Sequence, residues 1–198
     1  MKILNCEQMS EEWFAARCGK PSASRFAEIV TTKGEPSKQS TKYLYELAGE
    51  RVVGAKAETY QSPAMLRGIE LEPEARELYE FVTGEEVQQV GTCMDDDERW
   101  CASSDGMVGD DGVLEIKCPT LSVAVEYLSQ GKLPTKYYQQ VQGQMFVTNR
   151  GYCDFVSYYP GLKPLIVRVE KDSRFCDCLE ESLIRFCETL EKIVEEIS

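Results

Sequence analysis

Residues 103–119 read SSDGMVGDDGVLEIKCP. Gly109 to Gly112, GDDG, places glycine at both ends of a tight turn, where positive φ angles are needed to reverse a strand. Beyond the turn, Gly112–Lys117 is a strand; before it, a strand runs from Trp100–Ser103 toward Val108. Side chains alternate faces along a strand, so Glu115 and Lys117 share one face while Ile116 points into the core. A hairpin of this length brings Asp105 beside Glu115. Two carboxylates and one ammonium then converge on a small volume.

Outward from the hairpin, helical and strand patterns are mixed. Residues 8–18 (QMSEEWFAARC) form a short helix with Ser10 as its N-cap. A second is expected over Ser24–Thr31, with Ser24 as its cap, and TTKGEPSKQ from Thr31 reads as a mobile loop. Thr41–Val53 places Tyr43, Leu44, Leu47 and Ala48 on one helical face. Residues 62–83 are helical and closed by Gly84, but Pro73 predicts a break or kink that leaves Glu72 at a bend. A strand is expected over Glu86–Cys93. Downstream come helices over Ser122–Gln130 and Tyr137–Thr148, strands over Tyr152–Tyr159 and Leu165–Val169, and a long amphipathic helix from Ser173 to Ile197. No repeat or long linker interrupts this order, so residues 1–198 are expected to form one mixed α/β domain.

Composition narrows the chemistry. Histidine is absent, which excludes histidine acid–base catalysis and Ser–His or Cys–His nucleophiles. Hydrolysis must then rest on carboxylates, lysine, tyrosine or a metal. The nine cysteines are odd in number, and the opening MKILNCEQMSEEW turns acidic without an apolar leader. Free thiols in a reducing compartment, the cytoplasm, are therefore expected. Cys176 and Cys178 stand one residue apart and no CxxC occurs, so zinc does not suit them, nor, with Cys187, an iron–sulfur cluster. No run approaches the roughly 20 apolar residues that span a bilayer. The net charge of −12 argues against a broad DNA-coating surface. It permits a local basic groove, for which Lys33, Lys38, Lys42 and Arg67 are candidates, equally readable as solvated charges.

Mg²⁺ and Mn²⁺ prefer hard oxygen ligands, which Asp105, Glu115 and the backbone carbonyl of Ile116 supply. Such an ion turns water into a nucleophile and relieves charge on a phosphodiester. Lys117 adds a positive charge that orients or deprotonates the water. A bare Asp…Glu-x-Lys match is nevertheless most often an ordinary hairpin with a polar face, so the flanking blocks decide.

Four blocks do so: WFAARCGKPSAS (13–24), RGIELEPEAREL (67–78), ASSDG…LEIKCP (102–119) and YYQQVQGQM (137–145). Together, in this order, they resemble the lambda-exonuclease/YqaJ-type viral recombinase family of the PD-(D/E)XK nuclease superfamily. The resemblance implies a restriction-endonuclease-like core, a central mixed β-sheet flanked by helices. It implies that Asp105 and Glu115 bind metal, Mg²⁺ with Mn²⁺ as a substitute, and that Lys117 is the catalytic lysine. Glu72 would complete the metal site through water, and Gln142 would be the glutamine of the helix behind it. Arg17, Ser24 and Ser103 would bind a terminal 5′-phosphate. One departure is Ser104, where the superfamily usually has proline.

The implied activity is a 5′→3′ exonuclease that degrades one strand of duplex DNA and leaves 3′ overhangs for a single-strand annealing protein. The family forms homotrimeric rings around DNA ends, and its members are phage or prophage encoded in bacterial hosts. Two other readings compete: an endonuclease or nickase on the same core, and a catalytically degenerate DNA-binding module. Taken singly, Arg17 is a surface ion-pair former, Gln142 a polar helix residue and Glu72 one exposed glutamate among many. Asp110 and Asp111 are accounted for by the turn.

Overall fold

A computed structural model describes residues 1–56 and 62–198. Its centre is a five-stranded mixed sheet in the order β2 (Val87–Gln88), β5 (Gly106–Val108), β6 (Gly112–Lys117), β7 (Tyr152–Ser157), β8 (Leu165–Glu170). β5 and β6 are the expected hairpin, with Val108 opposite Gly112 across the turn. Arg150 clamps that turn: its Nη1 donates to the carbonyls of Val108, Gly109 and Gly112 at 3.3, 2.9 and 2.7 Å. β6 and β7 run parallel, which requires a crossover; α4 (Leu121–Gln130) and α5 (Tyr138–Thr148) provide it.

A second sheet of three strands has the order β1 (Lys2–Leu4), β3 (Thr92–Met94), β4 (Cys101–Ala102). The strand expected over Glu86–Cys93 is thus two strands in two sheets. Gly91 marks the switch: a Cβ there would lie 2.5 Å from the Cys6 carbonyl oxygen and 2.6 Å from that of Leu4, so only glycine lets the N-terminal segment pass. The run from Trp100 toward Val108 divides in the same way, into β4 and β5. Ser103, Ser104 and Asp105 occupy the crossing between the sheets.

Six α-helices and two 3₁₀ turns surround the sheets among the described residues. In α1 (Glu11–Arg17) the Ser10 hydroxyl accepts from the Trp13 amide, as the cap requires. The segment after it is a 3₁₀ helix, Ala23–Glu28, whose N-cap position is Ser22; Ser24 lies inside it and caps nothing. α2 (Ser40–Val53) packs its Tyr43, Leu44 and Leu47 against Phe186, Leu183 and Leu190 of α6 (Ser173–Ile197) in one core. α3 (Pro63–Thr83) continues as one helix through Pro73, so the break expected near Glu72 does not occur. Pro73 and Ile69 are both exposed, so the carbonyl that proline leaves without a donor is on the solvent side and can be hydrated. Ala75 and Tyr79, fully buried against the sheet, hold the second half in line.

α5 is buried on nearly every face, which explains its four glutamines: a helix surrounded by protein needs partners for each polar side chain it carries. Gly143 lets it close on the 3₁₀ helix; a Cβ would stand 2.4 Å from the Phe26 ring. Among the described residues no helix is long and apolar enough to cross a membrane.

Candidate active site

The hairpin assembles the acidic site. The Asp105 amide donates to the Leu114 carbonyl at 2.9 Å, and the Ile116 amide donates to Asp105 Oδ2 at 2.5 Å. Asp105 is thereby tied across the hairpin to the strand that carries Glu115 and Lys117. Ile116 itself buries its side chain with Ala75, Tyr79 and Leu114. Its alternation sends Glu115 to the opposite face, toward α5, where the carboxylate is 1% exposed. A buried charge needs partners, and Glu115 has three: an ion pair with Lys117, the Gln140 amide on Oε1 at 2.6 Å, and the Gln144 amide on Oε2 at 2.5 Å.

Gln142 is not among them. Its Nε2 donates to the Glu170 carbonyl at 3.0 Å and its Oε1 accepts from the Asp172 amide at 2.8 Å, tying α5 to the junction of β8 and α6. The reason is helical spacing: residues four apart share a face, so Gln140 and Gln144 look at the site while Gln142, two residues from each, looks away. The pattern QQVQGQ contains that signal, since only one pair in it, 140 and 144, brackets the buried strand at i and i+4.

Glu72 approaches from α3. It pairs with Arg76 one turn on, and Arg76 Nε also donates to the Asp105 carbonyl at 3.2 Å. Glu72, Arg76 and Asp105 line one wall of a cavity of about 630 Å³ that Gln88 and Gln89 also border. The charges here are unbalanced. Burial pushes the Asp105 carboxyl well above the usual range, and Glu115 and Glu72 add repulsion that Lys117 only partly offsets. Burial likewise raises Glu72 despite Arg76. Burial opposes the Lys117 ammonium, but Glu115 and Asp105 outweigh it and hold its pKa above the ordinary lysine value.

Among the described residues no three acidic or cysteine side chains form a ready-made metal cage. The donor chemistry nevertheless suits a small hard cation. The convergent groups are carboxylates without thiols or imidazoles, and buried carboxylates that resist ionisation together gain from a positive charge between them. Seating one requires Glu115 to exchange part of its amide and ammonium contacts.

Two residues before Asp105, Ser103 opens a second, cationic region. Its Oγ accepts from Arg17 Nη1 at 2.7 Å and from Trp13 Nε1 at 3.0 Å, which leaves its own hydrogen free to donate. Arg17 is 7% exposed, stacks on the Trp13 ring at 4.1 Å, and has a buried Nε without a partner. It lines a small recess with Lys20, Ser22, Arg25, Tyr43, Glu50 and Lys56. Arg25 is already engaged by Glu28 and Glu46. Ser24 is exposed and reaches the recess only through Ser22, whose hydroxyl is 3.1 Å away. Lys20, Ser22 and Lys56 are not among the expected site residues; Lys20 and Ser22 lie inside the block 13–24, whereas Lys56 comes from beyond α2 and no short motif links it to them. Of the other basic candidates, Lys33, Lys38 and Lys42 are exposed, and Arg67 donates to the Pro119 carbonyl and lies over Tyr159.

The model of the YqaJ-like viral recombinase domain matches residues 12–151. The chain belongs to the YqaJ-like viral recombinase family. Among solved structures it is similar to an alkaline exonuclease (LHK-Exo) from Laribacter hongkongensis, with 38% identity, a TM-score of 0.86, and coverage of 95% of this chain and 96% of that one. The structure of that exonuclease in complex with dAMP matches equally, at a TM-score of 0.87. A phage related exonuclease from Haemophilus somnus 129PT, at 17% identity and a TM-score of 0.70, shares the fold over 90% of this chain and 96% of its own. No curated protein matches the chain. The match covers both sheets and the helices around them, so the family fold expected from the four blocks is the fold observed.

Proposed function

We propose that this chain is a deoxyribonuclease, a 5′→3′ exonuclease that removes nucleotides from one strand of duplex DNA. One observation carries the reading: the acidic hairpin and the cationic recess are joined through Ser103–Asp105, so a group that cuts phosphodiesters stands beside a group that holds a terminal phosphate. The family membership and the likeness to an alkaline exonuclease at 38% identity support it.

The residues divide the work by chemistry. Arg17 and Ser103, with Lys20, Ser22 and Lys56 around them, bind the 5′-phosphate; the unpartnered Arg17 Nε and the hydroxyl of Ser103 are donors suited to a dianion. Ser24 acts on this pocket through Ser22. Asp105, Glu115 and the Ile116 carbonyl would hold Mg²⁺ or Mn²⁺, and Glu72 would complete that site through water. That ion, when bound, acidifies a water and withdraws charge from the scissile phosphate. Lys117 places its ammonium against the same phosphate and steers the attacking water. Gln140 and Gln144 fix the Glu115 carboxylate, and Gln142 serves only to dock the helix. The same reading extends to a homotrimeric ring, which would face basic residues inward from an acidic exterior, and to a single-strand annealing protein as the user of the 3′ overhang.

The test is digestion of linear duplexes carrying 5′-phosphate or 5′-hydroxyl ends, alongside a covalently closed circle, with Mg²⁺ and with EDTA. Release of mononucleotides from 5′-phosphorylated ends that stops in EDTA is the expected result. Nicking of the closed circle would replace the exonuclease by an endonuclease. Cleavage that persists in EDTA would remove the metal.

A further inference from the structure

We propose that Gln144 is a positioning residue that couples occupancy of the cationic recess to the placement of Glu115. The proposal rests on the exonuclease reading above. Its basis is an unbroken chain of contacts from one region to the other. Arg17 Nη1 donates to Ser103 Oγ at 2.7 Å; the carbonyl of that same Ser103 accepts from Gln144 Nε2 at 3.2 Å; and Gln144 Nε2 donates also to Glu115 Oε2 at 2.5 Å. One amide nitrogen thus spans the backbone of the recess and the carboxylate of the acidic site.

Three features make this a link rather than packing. Gln144 is fully buried, so water does not compete for its two acceptors. Its Oε1 is buried without a partner, so the amide is placed only by the two groups it donates to, and displacement of either moves it. Ser103 lies in the crossing between the two sheets, outside both ladders, where the backbone is free of the strand pairing that would otherwise fix it. Gln140, in contrast, contacts the other Glu115 oxygen, and no bond of Ser103 reaches it. Engagement of a phosphate by Arg17 and the Ser103 hydroxyl shifts the Ser103 peptide; the Gln144 amide follows and sets the Glu115 oxygen for catalysis. An end lacking the phosphate leaves the amide in its resting contacts with Ser103 and Glu115, so the recess controls turnover as well as binding.

The experiment measures kcat and KM on 5′-phosphorylated and 5′-hydroxyl duplex ends for the wild type, Gln144→Met, Arg17→Ala and the double variant, with Mg²⁺ saturating. Gln144→Asn accompanies them, as a smaller side chain too short to span both acceptors, should Met disturb the fold; circular dichroism checks each. Gln144→Met is expected to slow turnover on both ends, but about tenfold more on phosphorylated ones, with the difference in kcat and not in KM. Arg17→Ala should lower kcat on phosphorylated ends in the wild-type background and add little in the Gln144→Met background. Equal slowing on the two ends, or additive effects of the two substitutions, would overturn the coupling while leaving the nuclease reading intact. A wild type indifferent to the 5′-phosphate would overturn the reading itself and this proposal with it.

Discussion

Glu115 and Asp105 stand on one hairpin, yet the protein treats their charges in opposite ways. Glu115, on the side of α5, is met by two amides and an ammonium. Asp105, on the side of α3, has one backbone N–H for its carboxylate and two acidic neighbours, and burial drives it toward the protonated form. The α5 side is finished before any ligand arrives, whereas the α3 side stores unbalanced negative charge. Under the proposed function the tasks divide: Glu115 would contribute geometry, and the pair of Asp105 and Glu72 would contribute the driving force for taking up a cation. Preorganisation on one side and electrostatic frustration on the other are both costs to the fold, kept where function needs them.

The most severe way to break this contrast is to remove the finished side. Glu115→Gln or Lys117→Ala should lower Mg²⁺-dependent cleavage by about 10³-fold or more, since the first removes a charge that would hold the ion and the second a charge that would act on the reacting phosphate. Circular dichroism should show Glu115→Gln folded, because the glutamine keeps the shape of the side chain and a carbonyl acceptor for one of the two amides. Cleavage within tenfold of wild type, on the scale of a single lost hydrogen bond, would show that the hairpin is structural only. Asp105→Asn tests the other side by a different signature. It also abolishes cleavage, but it should raise the melting temperature of the metal-free protein, because a carboxylate that resists ionisation is replaced by a neutral group. The sign is fixed by linkage: the Asp105 pKa is raised in the folded state, so its contribution is favourable at low pH and is lost as pH rises through the folded value. The stability gap between Asp105→Asn and wild type in EDTA should therefore widen from acid to neutral pH. Mg²⁺ should stabilise the wild type and not the variant. A variant less stable than wild type at neutral pH would mean that Asp105 is held as a satisfied carboxylate.

The readable part of this site was the part governed by a local period. Strand alternation from Gly112 to Lys117 placed Glu115 and Lys117 on one face and Ile116 in the core, and the GDDG turn placed Asp105 across from them. What escaped was set by the third dimension. The division of residues 86–94 and 100–108 between two sheets depends on where the N-terminal segment crosses Gly91, and a three-residue strand such as Lys2–Leu4 has no periodicity to announce it. Pro73 predicts a break or kink by a sound local rule, but the exposed face of α3 lets the helix continue through it. The resemblance implies Gln142, whereas Gln140 and Gln144 face Glu115, because a block resemblance identifies a helix and a helical wheel identifies its face.

That choice of face can be sharpened by a matched pair of substitutions on α5. Gln140→Leu removes a donor from the buried Glu115 carboxylate and should lower kcat by about tenfold together with the melting temperature. Gln142→Leu should lower the melting temperature alone. It strips partners from the Glu170 carbonyl and the Asp172 amide, costing about 1–2 kcal/mol, or a drop of roughly 2–8 °C for a domain of this size, with kcat nearly kept. If Gln142→Leu instead spared stability and cut turnover, the side chain would have to reach the carboxylates in the working enzyme, and the two faces of α5 would not be distinct.

The smallest effect belongs to Ser104, next to Asp105 on the less finished side. Its hydroxyl is buried and has no partner, while its backbone carbonyl accepts from Gln8 Nε2 at 2.8 Å. Beyond Ser103, the crossing between the sheets is therefore pinned through main-chain atoms: Gln8 on the Ser104 carbonyl, Arg76 on the Asp105 carbonyl and Leu114 on the Asp105 amide. A buried hydroxyl without a partner costs free energy, so Ser104→Ala should leave cleavage unchanged and shift stability by no more than about 0.5 kcal/mol, in the stabilising direction. A loss of more than about 1 kcal/mol would exceed what an unpartnered hydroxyl can contribute. It would mean that Ser104 bonds something on folding and that the Asp105 side is held by side chains, as the Glu115 side is.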